Sequence, residues 1–89
     1  MKHLKITVQG RVQGVFYRAS TRVKADDIGV KGFVRNQADG SVYIEAEGSH
    51  EQLEELVSWC KEGPRMAQVS EVNCIDGKIT GFSTFEIER

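Results

Sequence analysis

Apolar and polar residues alternate along Leu4-Lys5-Ile6-Thr7-Val8, which puts Leu4, Ile6 and Val8 on one side of a half-buried strand. Gly10-Arg11-Val12-Gln13-Gly14-Val15 breaks the alternation with two glycines and reads as a loop. A helix is expected from Phe16 or Tyr17 to Ile28. Ala19, Val23 and Ala25 are its apolar positions, and Gly29 is placed to stop it. Residues 30–36 return to strand, with Val30, Gly32 and Val34 on one parity. Asp39-Gly40 marks a turn. Residues 41–47 then alternate, with Val42, Ile44 and Ala46 inward and Tyr43, Glu45 and Glu47 outward. The two strands and their turn form a β-hairpin.

The second helix has the clearest pattern. Ser49 can cap it, and Gln52 three residues later completes a capping box. Leu53, Leu56, Val57 and Cys60 fall at i, i+3, i+4 and i+7 and form one apolar face. Glu51, Glu54, Glu55 and Glu62 lie mostly off that stripe and read as a solvated face. Gly63-Pro64 ends the helix. A further strand lies within residues 69–75, with Val72 and Cys74 on one parity, and Asp76-Gly77 is another turn. Phe85 and Ile87 mark a last strand over residues 82–88.

The resulting order is β-α-β-β-α-β-β. Two strand–helix–strand halves joined by a hairpin predict an α+β fold, the ferredoxin-like split βαβ sandwich. In it, two helices cover one face of an antiparallel sheet. A doubly wound parallel sheet would need helices on both faces, and two are too few. The fold hosts many functions and decides none of them.

Length and charge narrow the field. Eighty-nine residues make a single domain, 1–89. Twelve basic against thirteen acidic side chains leave a net charge of −1, which argues against a nucleic-acid partner. Apolar residues make up 39% of the chain, enough for a core. No apolar run is long enough to cross a membrane. Met1-Lys2-His3-Leu4-Lys5 has no long apolar stretch behind it and does not read as a signal peptide, so a cytoplasmic protein is expected. A chain of this size can act as a monomer. Cys60 and Cys74 form no CxxC pair and read as small buried apolar residues. His3 and His50 are isolated, so no metal site is expected and no cofactor is implied.

Chemistry is concentrated in two segments. Gly10-Arg11-Val12-Gln13-Gly14-Val15-Phe16-Tyr17-Arg18 runs from a strand through a glycine-bearing loop into a helix. Backbone N–H groups at a helix start are unpaired and electropositive. Glycines let successive N–H groups converge on an anion. Arg18 can then grip two phosphate oxygens at once. A plain connector with a solvated arginine fits the same residues. The second segment is Gly32-Phe33-Val34-Arg35-Asn36-Gln37-Ala38-Asp39-Gly40, in which Asn36 by itself is a strand-end residue that starts a turn. Arg11 reads as solvated, Arg35 as facing away from Asn36, Phe16 and Tyr17 as packing residues, and Trp59 as partly buried.

Together these segments resemble the two signature motifs of the acylphosphatases. The likeness extends through Ser41-Val42, Glu47-Gly48, Gly63-Pro64, Ala67, Val69 and Phe85-Glu86-Ile87, so it covers essentially the whole chain. The resemblance implies hydrolysis of the carboxyl–phosphate bond of a small-molecule acyl phosphate. It makes Arg18 and Asn36 the catalytic residues. It places the phosphate on the backbone N–H groups of Gln13, Gly14, Val15, Phe16 and Tyr17, together with Arg18. The chemistry is self-consistent. An acyl phosphate is a mixed anhydride whose carboxylate leaves without protonation, so a general acid is dispensable. Positioning and charge stabilisation remain. The competing reading is a non-catalytic phosphate- or nucleotide-binding module on the same fold. An RNA-binding domain would want exposed sheet aromatics and a basic surface, and a regulatory ligand-binding domain is usually attached to an enzyme.

Overall fold

The alternation in the first strand continues beyond Val8, and in the computed structural model, which describes residues 1–89, β1 runs from Lys2 to Arg11. It is followed by α1 (Tyr17–Ile28), β2 (Lys31–Asn36), β3 (Val42–Gly48), α2 (His50–Glu62), β4 (Gln68–Asp76) and β5 (Phe85–Ile87). The order is the expected β-α-β-β-α-β-β. The five strands lie side by side as β4-β1-β3-β2-β5. Each strand–helix–strand half is split: β3 sits between β1 and β2, and β1 sits between β3 and β4. The sheet is mixed. Its four longer strands pair antiparallel as expected, but β5 pairs parallel with β2, Val34 against Ile87. The chain must cross from one sheet edge to the other to make that pairing, which local periodicity does not encode.

One face of the sheet carries the core. Ile6, Val8, Val34, Val42, Ile44 and Ala46 are fully buried there. Leu53, Leu56 and Cys60 of α2 and Tyr17 and Ala25 of α1 close over them. Each buried aliphatic contributes on the order of 1.5–3 kcal/mol. The helices lie side by side. Tyr17 donates its hydroxyl to the Cys60 carbonyl at 2.7 Å, its ring meets Trp59 with centroids 5.4 Å apart, and Lys24 reaches Glu55 at 3.2 Å. The capping box forms as the sequence predicts: the Gln52 N–H donates to Ser49 Oγ at 3.1 Å, and the Ser49 N–H to Gln52 Oε1 at 2.8 Å. Gln52 Nε2 also donates to the Ile28 carbonyl at 3.1 Å, tying the start of α2 to the end of α1.

The opposite face departs from the alternation. Glu47, expected to point to solvent, is buried. Residues 77–84 cross the outer face on the way from β4 to β5, and their N–H groups at Thr80, Gly81 and Phe82 all donate to the Glu47 carboxylate. His3, buried beside it, hydrogen-bonds through Nδ1 with Glu47 Oε2 at 2.7 Å and through Nε2 with Glu45 Oε1 at 2.9 Å. Burial alone would raise the pKa of Glu47. The hydrogen bonds from His3 and from the three backbone groups outweigh it and hold the carboxyl at about 2. Phe82 lies over His3 and against the edge of Phe33, each with ring centroids 5.8 Å apart. Cys74 likewise differs from expectation. It lies opposite Ile6 on the helix-covered face but is exposed, because β4 is the edge strand of the sheet, whereas Cys60 is buried with its thiol pushed up to about 12 by desolvation.

Candidate active site

Between β1 and α1 the loop is built from alternating anchors. Val12 and Val15 are buried, 1% and 3% exposed, and hold the chain against the core from below. At the loop's entrance Gly10 sits at a register shift in the β1–β4 ladder, where a Cβ would lie 2.2 Å from the Gln68 carbonyl oxygen. At its exit Tyr17 is pinned by the Cys60 carbonyl. Gly14 and Phe16 both take left-handed backbone angles, φ 74° and φ 65°. For Gly14 this conformation is free of strain, and no atom lies within 4 Å of where its Cβ would be. Phe16 adopts it as the helix N-cap, and the result corrects its expected packing role. Its side chain is 74% exposed, because the left-handed turn throws it outward while Tyr17 takes the buried position.

That geometry leaves the helix start open. The N-cap side chain accepts no hydrogen bond from α1. Along residues 14–19 no backbone N–H finds an acceptor within the protein; the first to do so is Ser20, which donates to the Phe16 carbonyl at 3.0 Å. Unpaired donors at the positive end of a helix are the chemistry that holds an anion. Arg18 projects from this turn, half-buried, with no carboxylate within 4 Å. Gly14, Phe16, Arg18 and Ala19 line one open depression of about 380 Å³ together with Ile87 and Arg89 from the far edge of the sheet. No group of His, Cys, Asp and Glu side chains is placed to hold a metal ion.

Asn36 does not line that depression. It ends β2 opposite Val42, and its Oδ1 is buried with no hydrogen-bond donor facing it from the protein. A buried acceptor left unpaired costs about 1–3 kcal/mol. The two motifs are joined by Gln13. Its Nε2 donates to the Gln37 carbonyl, next to Asn36, and to the Ser41 carbonyl, both at 2.8 Å. Gln37 and Asp39 hold the same turn through Ser41: Gln37 Nε2 to Ser41 Oγ at 3.0 Å, and the Ser41 N–H to Asp39 Oδ1 at 2.9 Å. The acceptance of hydrogen bonds from Ser41 also keeps the Asp39 carboxyl below its usual range. Gln13 is therefore a brace as well as a loop residue, a role its position in the chain did not disclose. Nor did periodicity place Arg89 at the site, because the parallel docking of β5 brings it there. Arg35 points away from Asn36, as alternation requires. It reaches Glu88 at 3.7 Å and lies over the Tyr43 ring at 4.9 Å on the outer face.

The whole chain has relatives with this architecture. A family model described as acylphosphatase matches residues 4–87. A protein named acylphosphatase from Methylococcus capsulatus is 43% identical over 90 residues, spanning 100% of this chain and 98% of its own length. One from Acaryochloris marina is 46% identical over 86 residues, spanning 97% of this chain and 92% of its own. The crystal structure of acylphosphatase from Bacillus subtilis matches with a TM-score of 0.97 at 33% identity, covering 100% of both chains.

Proposed function

This chain belongs to the acylphosphatase family, and we propose that it hydrolyses acyl phosphates through the loop of residues 13–17, Arg18 and Asn36. The observation that carries this division of roles is the run of N–H groups at residues 14–19 that find no acceptor in the protein beside an arginine free of carboxylates. A phosphoryl group offers three oxygens to such donors. The N–H groups and the guanidinium would hold it and offset the charge that builds on it as the bond to the acyl oxygen stretches. Asn36 would orient the attacking water through its side-chain amide, which can both donate and accept. Water attacks phosphorus. The P–O bond to the acyl group breaks, and its electron pair leaves on the carboxylate. The water proton passes to the phosphate oxygens, because a neutral amide is too weak a base to keep it. The same reading takes residues 1–89 to act as one domain, as a metal-independent monomer, on a small-molecule substrate in the cytoplasm.

Benzoyl phosphate turnover by the purified protein tests this directly. The expected result is hydrolysis that a chelator leaves unchanged, with a rate that is flat in pH around neutrality. Chelator-sensitive turnover, or a limb near neutrality, would contradict the proposed roles.

A further inference from the structure

The depression beside Arg18 holds more positive charge than a phosphoryl group needs. Arg18 and the N–H groups of residues 14–19 already supply a full set of donors for three phosphoryl oxygens. Arg89 lines the same depression from the opposite side. Its placement follows from the strand parity of β5. Phe85 is buried and Ile87 half-buried on the helix-covered face, whereas Glu88 turns to the outer face and pairs with Arg35 at 3.7 Å. Arg89 follows Ile87 back to the helix side and lies within 4 Å of no Asp or Glu carboxylate. No acidic side chain lines the depression; its other walls are Gly14, Phe16, Ala19 and Ile87. Arg18 and Arg89 thus line one open space whose walls include no Asp or Glu side chain.

Resting on the acyl phosphate reading above, we propose that Arg89 is a specificity-determining residue. It recognises a second anionic group on the acyl portion of the substrate, so that the site favours acyl phosphates carrying a carboxylate a few carbons from the anhydride. With the phosphoryl group on the loop, the acyl chain extends across the depression, and a terminal carboxylate comes within reach of a planar fork suited to it. The residue is exposed, so its interaction is screened and modest.

The test compares succinyl phosphate, which carries that carboxylate, with benzoyl phosphate, which does not, in the parent protein and in Arg89→Gln. The quantity read is the ratio of the two kcat/KM values. It should fall about fivefold in the variant, with the change mainly in the KM for succinyl phosphate, and Arg89→Lys should recover part of it. In the parent the ratio should also shrink as salt is raised to molar concentration. A ratio that is the same in parent and variant overturns the proposal, whether or not both rates fall together. A parent protein that turns over neither substrate overturns the underlying reading as well, and the two failures are thereby distinguishable.

Discussion

The two helices of this fold start in opposite ways. α2 begins with Ser49 and Gln52, which satisfy each other's exposed N–H groups within a single turn. α1 begins with Phe16 in a left-handed conformation and no cap at all. The two helices belong to equivalent strand–helix–strand halves, and both pack on the same core. The contrast shows that an uncapped helix start here is not required by the architecture. A capping side chain stabilises by about 1 kcal/mol, and α1 forgoes it, leaving its first N–H groups without acceptors. A third group of N–H donors makes the point again. Thr80, Gly81 and Phe82 also converge, but the protein fills their centre with its own Glu47 carboxylate. Of three donor clusters, one is capped, one is occupied from within, and one is open.

The largest effect expected from disturbing this contrast is at the open cluster. Arg18→Gln should lower kcat/KM for benzoyl phosphate by about 10³, as the loss of a charged donor does in phosphoryl transfer, with thermal stability nearly unchanged. Asn36→Ala should lower kcat by about 10² with KM little altered, since the water and not the phosphate loses its partner. A parental rate in either variant would remove that residue from the mechanism.

At the internally filled cluster the readout is stability. Glu47 is held at about 2, below the usual 4.5. A carboxyl whose pKa is depressed in the folded state stabilises the fold fully above its unfolded pKa. That contribution is lost as pH falls from about 4.5 toward 2. Tm measured from pH 6 down to 3 should therefore fall in the parent and fall less steeply in Glu47→Gln. Parallel curves would show that the carboxylate is not the group being titrated. The smallest effect belongs to the capped helix: Ser49→Ala should cost about 1 kcal/mol in denaturant unfolding and leave turnover within twofold.

Much of this was legible in the residues themselves, and the boundary is physical. The α2 cap, the apolar face at Leu53, Leu56 and Cys60, and the inward parity of Val42, Ile44 and Ala46 rest on contacts between near neighbours, and each appears as read. Glu47 did not, because its burial depends on a crossing segment more than thirty residues further along. Phe16 did not, because one left-handed residue reverses the side-chain order that helical spacing would give. The two motifs could be recognised as strings. The brace from Gln13 to the Gln37 and Ser41 carbonyls, and the arrival of Arg89 at the depression, come from pairings that no periodicity contains.

The open helix start is tested most directly by following backbone amide resonances while inorganic phosphate, the reaction product, is titrated in. Saturable shifts should concentrate at the amides of residues 14–19, with those of the α2 first turn and of residues 80–82 unmoved. Amides at residues 14–19 that stay in place while phosphate inhibits turnover, or shifts centred on the start of α2, would contradict this expectation.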